Sequence, residues 1–345
     1  MSVGSSLLAE ELARAELHVM SASMSTTNLA ATSSDGPWID SDTWYAIGPR
    51  DGDTLCYYNL RRGICSRRPP TGLRDDGTRR RSAARCGPWA VPLTEPVPWL
   101  PHPLAMPVAA ASHDRLGSKA PLVEEWGSNA LLFTAPHGVN LARDGKPDHL
   151  PEDFTSYLAR AWGAHTQAMS MSWDAASLEW VCAHEQPLPD TRDPNYLTEH
   201  EADTNQWVRA LGGLDRRGLH IDVHGKADRY GEADLDVGVG ALRKYHGDAA
   251  ADAIADTLAV ALRAVLGPAE YTVDERPRLQ GCWQSVPRQT MTQSATKLGY
   301  VPVQIELGYK LRRALGRERA LCVRVADTFS ACASTCMAVC RLAAR

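Results

Sequence analysis

The sequence predicts an α/β protein, with a three-layer α/β/α domain over residues 128–345 preceded by a small all-β module and a proline-rich linker. Three stretches carry that prediction. Each is a short apolar run that ends beside a chemically capable side chain: Leu131 to Gly138, ending in His137; Leu219 to Gly225, ending in His224; and Val301 to Leu307, ending in Glu306. Helical patterns fill the chain between them, and apolar strands alternating with amphipathic helices are the mark of helices packed on a sheet.

Residues 1–37 hold a helix candidate, Leu7 to His18, and then turn Ser/Thr-rich, which reads as a disordered tail. Residues 38–70 carry Trp44-Tyr45, a turn signal from Pro49 to Asp53, the run Leu55 to Leu60, and Pro69-Pro70; short strands around an aromatic cluster fit them. Residues 71–127 begin with Arg79-Arg80-Arg81 and continue through seven prolines between Pro88 and Pro107. That composition favours an extended linker.

From Asn129 the elements follow in order. After the first apolar strand and a loop, Phe154, Leu158 and Trp162 recur at helical spacing, with Pro151, Glu152 and Asp153 suited to a helix start. A polar loop through Asp193 and Asn195 leads to a helix through Trp207 and Leu211, and then comes the strand Leu219 to Gly225. An alanine-rich helix from Ala249 to Leu266 stops at Gly267-Pro268. The strand ending at Glu306 and a C-terminal helix close the chain.

A net charge of −4 gives no electrostatic case for nucleic acid. No apolar run approaches the roughly 18 residues of a membrane-spanning helix, and the first residues lack the basic start of a secretory signal. The nine cysteines show no C-x-x-C pair and read as reduced thiols, so a cytoplasmic protein is expected. Cys332, Cys336 and Cys340 recur every four residues, which makes them an apolar stripe on one helix face.

Side chains alternate along a strand, so His220, Asp222 and His224 share one face and Leu219, Ile221 and Val223 the other. Histidines at the ends of parallel strands stand where α/β sheets bind ligands. Catalytic zinc takes about three protein ligands, typically histidines and a carboxylate, and leaves one position open. His137 and His224 supply the histidines, and Asp153 or Glu152 is the carboxylate nearest His137 in sequence. Asp222 serves as a ligand or as the hydrogen-bond partner of one. Glu306 is the candidate general base, with an ion pair to Lys310 as its structural alternative.

Residues 131–310 resemble the N-formylglutamate amidohydrolases, a group related to the zinc carboxypeptidases. The shared pieces are Pro136-His137-Gly138-Val139-Asn140, Glu152-Asp153-Phe154, Arg192 to Tyr196, Ile221 to Gly225 and Val303 to Leu307, in the family's order. The resemblance implies a mixed sheet flanked by helices, zinc held by His137, Asp153 and His224, and Glu306 as base. It also implies substrate contacts from Asn195, with Arg192, Lys226 or Arg288 replacing an arginine that Tyr196 displaces. The H-x-x-E of carboxypeptidases is broken at His137, because Asn140 stands fourth.

Residues 38–70 resemble a WW domain on Trp44, Tyr57, Asn59 and Pro70, which implies that Trp44 and Tyr57 contact a proline-rich partner; Arg67 and Cys56 replace other groove aromatics. The expected activity is zinc-dependent hydrolysis of a C–N bond in a small acyl-amino acid or peptide. The alternative is a catalytically degenerate scaffold or adaptor using the WW-like module.

Overall fold

A computed structural model describes residues 45–47, 56–59 and 64–66, and residues 121–343 apart from 153, 174–176, 178–186, 190, 268 and 284–286. Strands β1 (Tyr45–Ile47), β2 (Cys56–Asn59) and β3 (Ile64–Ser66) form an antiparallel sheet with Ala46 opposite Tyr57 and Tyr58 opposite Cys65. Trp44 lies outside the described residues, and Tyr57 is described in its backbone alone. Most of the linker 71–127 lies outside them too.

The larger sheet has seven strands: β4 (Leu122–Glu125), β5 (Leu131–Thr134), β6 (Met169–Ser172), β7 (Leu219–Lys226), β8 (Leu235–Gly238), β9 (Val273–Asp274) and β10 (Val301–Gly308). Their spatial order is β4-β6-β5-β7-β10-β8-β9. The four central strands β6, β5, β7 and β10 are parallel, β4 and β8 run antiparallel to their inner neighbours, and β9 is parallel to β8. The molecule is thus a mixed α/β structure.

Strand alternation sorts the core into two clusters. Leu131, Phe133, Leu219, Ile221, Val223, Val303 and Ile305 pack with helices α1 (Thr155–Thr166), α5 (Asp248–Leu266) and α8 (Arg319–Ala343). The Phe133 ring lies 5.8 Å from Trp162 and 6.0 Å from Phe329. On the opposite face, Leu132, Met169 and Met171 pack with Trp207 and Leu211 of α3 (Gln206–Gly213) and Met291 of α6 (Met291–Lys297). Short helices α2 (Glu199–Thr204), α4 (Gly240–His246) and α7 (Tyr309–Arg317) complete the described set. Each fully buried Leu, Ile, Val or Phe contributes about 1.5–3 kcal/mol, so both faces of the central strands are covered by substantial cores.

The stripe Cys332, Cys336 and Cys340 turns into the first core, where burial pushes the Cys332 thiol up to about 12 and Cys340 to about 11. No described helix is long and apolar enough to cross a membrane.

One local feature differs from what spacing alone suggests. The acids before α1 do not start it: the helix begins at Thr155, and Phe154 takes a left-handed backbone with φ of 71°. A buried aromatic in that conformation is strained, and the turn it makes leaves Glu152 outside the helix. Gly218, just before β7, is required by close approach, because a Cβ there would sit 1.9 Å from the backbone oxygen of Ala130. Gly218→Ala should destabilise the protein by about 1–3 kcal/mol. An unchanged urea midpoint would contradict that packing.

Candidate metal centre

Parallel pairing of the central strands brings their C-terminal ends together. Thr134 stands opposite Asp222 and His224 opposite Glu306, all on the face away from the first core. Three residues beyond β5, His137 sits at the start of a loop that returns through Glu152, whose backbone N–H donates to the His137 carbonyl at 2.8 Å. The indole N–H of Trp173 holds the Pro136 carbonyl at 2.6 Å, fixing the strand exit.

At the centre is the carboxylate of Glu152. Its Oε1 lies 3.0 Å from His137 Nδ1, and its Oε2 lies 3.4 Å from His224 Nδ1 and accepts from the Gly225 N–H at 2.8 Å. The far nitrogen of each histidine is held by a buried aspartate. His137 Nε2 is 2.9 Å from Asp193 Oδ1, and His224 Nε2 is 3.1 Å from Asp222 Oδ2. Both aspartate side chains are fully buried.

Asp193 is fixed in turn by the Asn195 N–H at 2.8 Å and Arg143 Nε at 2.5 Å. Asp222 accepts from the Thr134 hydroxyl at 2.6 Å. With its one proton on Asp222, Thr134 Oγ1 accepts from His220 Nε2 at 2.8 Å. Burial lowers His220 to about 4, so that imidazole is neutral at pH 7.

The site's carboxylates outnumber its permanent cations. Glu152, Asp193, Asp222 and the adjoining Glu306 set four carboxylates against the single cation of Arg143, so neutral imidazoles would face an excess of negative charge. Proton affinities record the same imbalance. Despite desolvation, Asp193 and Glu152 raise His137 to about 8, and Asp222 and Glu152 raise His224 well above its ordinary value. Glu152, although desolvated, is held well below the carboxylate range by His137 and His224.

A divalent ion would offset this charge, as would protons on the histidines. Tetrahedral zinc with bonds near 2.0–2.1 Å separates its ligand atoms by about 3.3 Å; His137 Nδ1 lies 3.0 Å from one oxygen of Glu152 and His224 Nδ1 3.4 Å from the other. The donor set of nitrogen and carboxylate oxygen therefore fits zinc. Among the described residues, the group whose ligand atoms all lie within 4.8 Å of one another is His137, His149 and Glu152, without His224.

The ion-free protein should lose stability as pH rises. A folded-state value of about 8 against 6.5 unfolded means that the protonated His137 stabilises the fold fully below pH 6.5, and that this is lost as pH passes 8. The loss is about 2 kcal/mol from His137, with His224 adding in the same direction. Urea midpoints in chelator at pH 6 and pH 9 check this, and equal midpoints would contradict it.

Other candidates are placed as follows. Glu306 is buried beside this cluster; desolvation raises it to about 6, and Gln304 Nε2 donates to its Oε1 at 2.5 Å. The Lys310 ammonium lies 3.4 Å from the Glu270 carbonyl. Asn195 joins the site: its Nδ2 lies 2.8 Å from His224 Nε2, and its Oδ1 accepts from the Met291 N–H at 2.6 Å. Lys226 is committed to Asp236 at 2.6 Å. Arg192, half exposed, pairs with Asp144, and Arg288 lies over the Tyr196 ring and 3.1 Å from Glu201. Asp153 is outside the described residues, and Glu152 is the carboxylate that lies between His137 and His224.

Sequence reasoning missed His149, Arg143 and the role of Asp193. A signal for the first was present, since His149-Leu150-Pro151-Glu152 is itself an H-x-x-E.

No protein-family model matches this chain, and no curated protein does. A solved structure titled as a bacteriophage poly-gamma-glutamate hydrolase aligns with 61% of this chain and 86% of its own, at 13% identity and a TM-score of 0.33. A superposition that loose assigns neither fold family nor chemistry.

Proposed function

We propose that the chain is a metal-dependent hydrolase acting on a C–N bond, with zinc as its ion and a small acyl-amino acid or peptide as its substrate. One observation carries this reading: two histidines turn their Nδ1 atoms to a single carboxylate while a buried aspartate grips the opposite nitrogen of each. Metal-binding histidines are oriented in this way. The resemblance of its motif order to that of the N-formylglutamate amidohydrolases points to the same chemistry.

His137, Glu152 and His224 would hold the ion. Bound there, it would act as a Lewis acid toward a carbonyl oxygen and make water a stronger acid. Asp193 accepts from the Nε2 of His137, which would leave that ring's Nδ1 free to bind the ion; His224 Nε2 is held between Asp222 and the Asn195 amide nitrogen, which fixes the orientation of that ring. Glu306 projects from the neighbouring strand on the same face as His224. Its value of about 6 places it near neutrality, as proton transfer in both directions requires. Glu306 takes a proton from the attacking water and returns it to the leaving nitrogen, so that amide and water become acid and amine.

The test is a panel of N-formyl and N-acyl amino acids and short peptides, assayed with and without a chelator. Hydrolysis that chelation abolishes and zinc restores is expected. Cleavage indifferent to chelation, or a stoichiometrically metal-loaded protein that cleaves nothing in the panel, would count against the reading.

A further inference from the structure

His149 is the unexplained member of the cluster. Its Nε2 lies 3.3 Å from Glu152 Oε1, and its ring stacks on His137 with centroids 3.6 Å apart and planes 26° apart. Its Nδ1 lies 2.6 Å from the Leu150 carbonyl oxygen, which can only accept, so in the neutral ring Nδ1 carries the proton. The Nε2 lone pair then faces a carboxylate oxygen in a half-buried site. Two electron-rich atoms in that arrangement repel unless a proton or a metal cation lies between them.

Anchoring separates this histidine from the other two. His137 and His224 are each clamped by a fully buried aspartate and are themselves buried. The far nitrogen of His149 is held by a neighbouring backbone carbonyl, and its side chain is 18% exposed. Its backbone is tied to Leu141 by hydrogen bonds of 3.0 and 2.8 Å at the base of a loop whose residues 144–148 are exposed.

The geometry points to His149 as a fourth, labile protein ligand that closes the metal centre at rest and must leave for a substrate oxygen to enter. This inference rests on the metal reading. It extends it, because catalytic zinc keeps a position open and here a loop-borne histidine fills that position. The loop 139–150 would then couple substrate entry to ligand release.

The experiment uses cobalt(II) in place of zinc on the full chain, reading affinity by chelator competition, the visible spectrum, and the proton NMR of the paramagnetic form. In wild type, three hyperfine-shifted, solvent-exchangeable imidazole N–H signals are expected. His149→Ala should retain cobalt with at least about tenfold weaker affinity, since even an outer partner contributes 10- to 100-fold. Its spectrum should change and respond to added azide at concentrations that leave wild type unaltered.

Two N–H signals in wild type, or a His149→Ala protein with unchanged affinity and spectrum, would overturn the inference and leave the metal reading intact. Complete loss of cobalt from a folded His149→Ala would make His149 a permanent ligand and overturn the gating role. Absence of stoichiometric cobalt in wild type would overturn both. The NMR count needs no variant, so it stands even if His149→Ala fails to fold.

Discussion

Glu306→Gln should keep its metal and lose turnover by about 10²- to 10⁴-fold, the usual contribution of a positioned general base. The substitution preserves volume and one acceptor oxygen, so Gln304, the donor that now reaches Oε1, retains a partner. What disappears is a carboxylate that burial holds near neutrality. The effect should fall on kcat more than on KM, because proton transfer is needed in the transition state and not in binding. A Glu306→Gln enzyme that turns over normally with its metal in place would move the base elsewhere.

His137→Ala and His224→Ala should each abolish metal retention while the chain remains folded. Removing either imidazole takes away one of the two nitrogens turned to Glu152. The buried aspartates do not then become unpaired: Asp193 keeps Arg143 and the Asn195 N–H, and Asp222 keeps Thr134. Near-UV circular dichroism reports the fold and elemental analysis the ion. Full zinc occupancy in either folded variant would remove that residue from the ligand set.

The strands and the polar residues that end them were legible because the signal there is local. An apolar run that stops at His224 or Glu306 needs only period-two alternation to be read, and parallel pairing then sets Glu306 beside His224. Long-range approaches left no such trace. Asp193 reaches His137 across 56 residues, and Lys226, expected at the substrate, is held instead by Asp236 from β8.

His149 was overlooked for a different reason. The H-x-x-E spacing fails when read forward from the strand-end His137 but is met from His149 to Glu152, and a backbone bridge between Leu141 and His149 brings the two histidines face to face. The start of α1 misled in the same way. Acids after a proline suit a helix terminus, but Glu152 is drawn toward two histidines and the Gly225 N–H, and the chain turns at Phe154 to allow it.

The central claim is that this cluster is a metal centre, and the most direct measurement is the metal content of the wild-type protein. Purified protein is dialysed to equilibrium against zinc, passed through a desalting column and analysed for elements, with a parallel sample treated with chelator. The expected result is about one zinc per chain in the first sample, none in the second, and recovery on adding zinc back. Zinc no higher than the buffer blank in the untreated protein would contradict the account, and the histidine–carboxylate cluster would then be a protonated hydrogen-bond network.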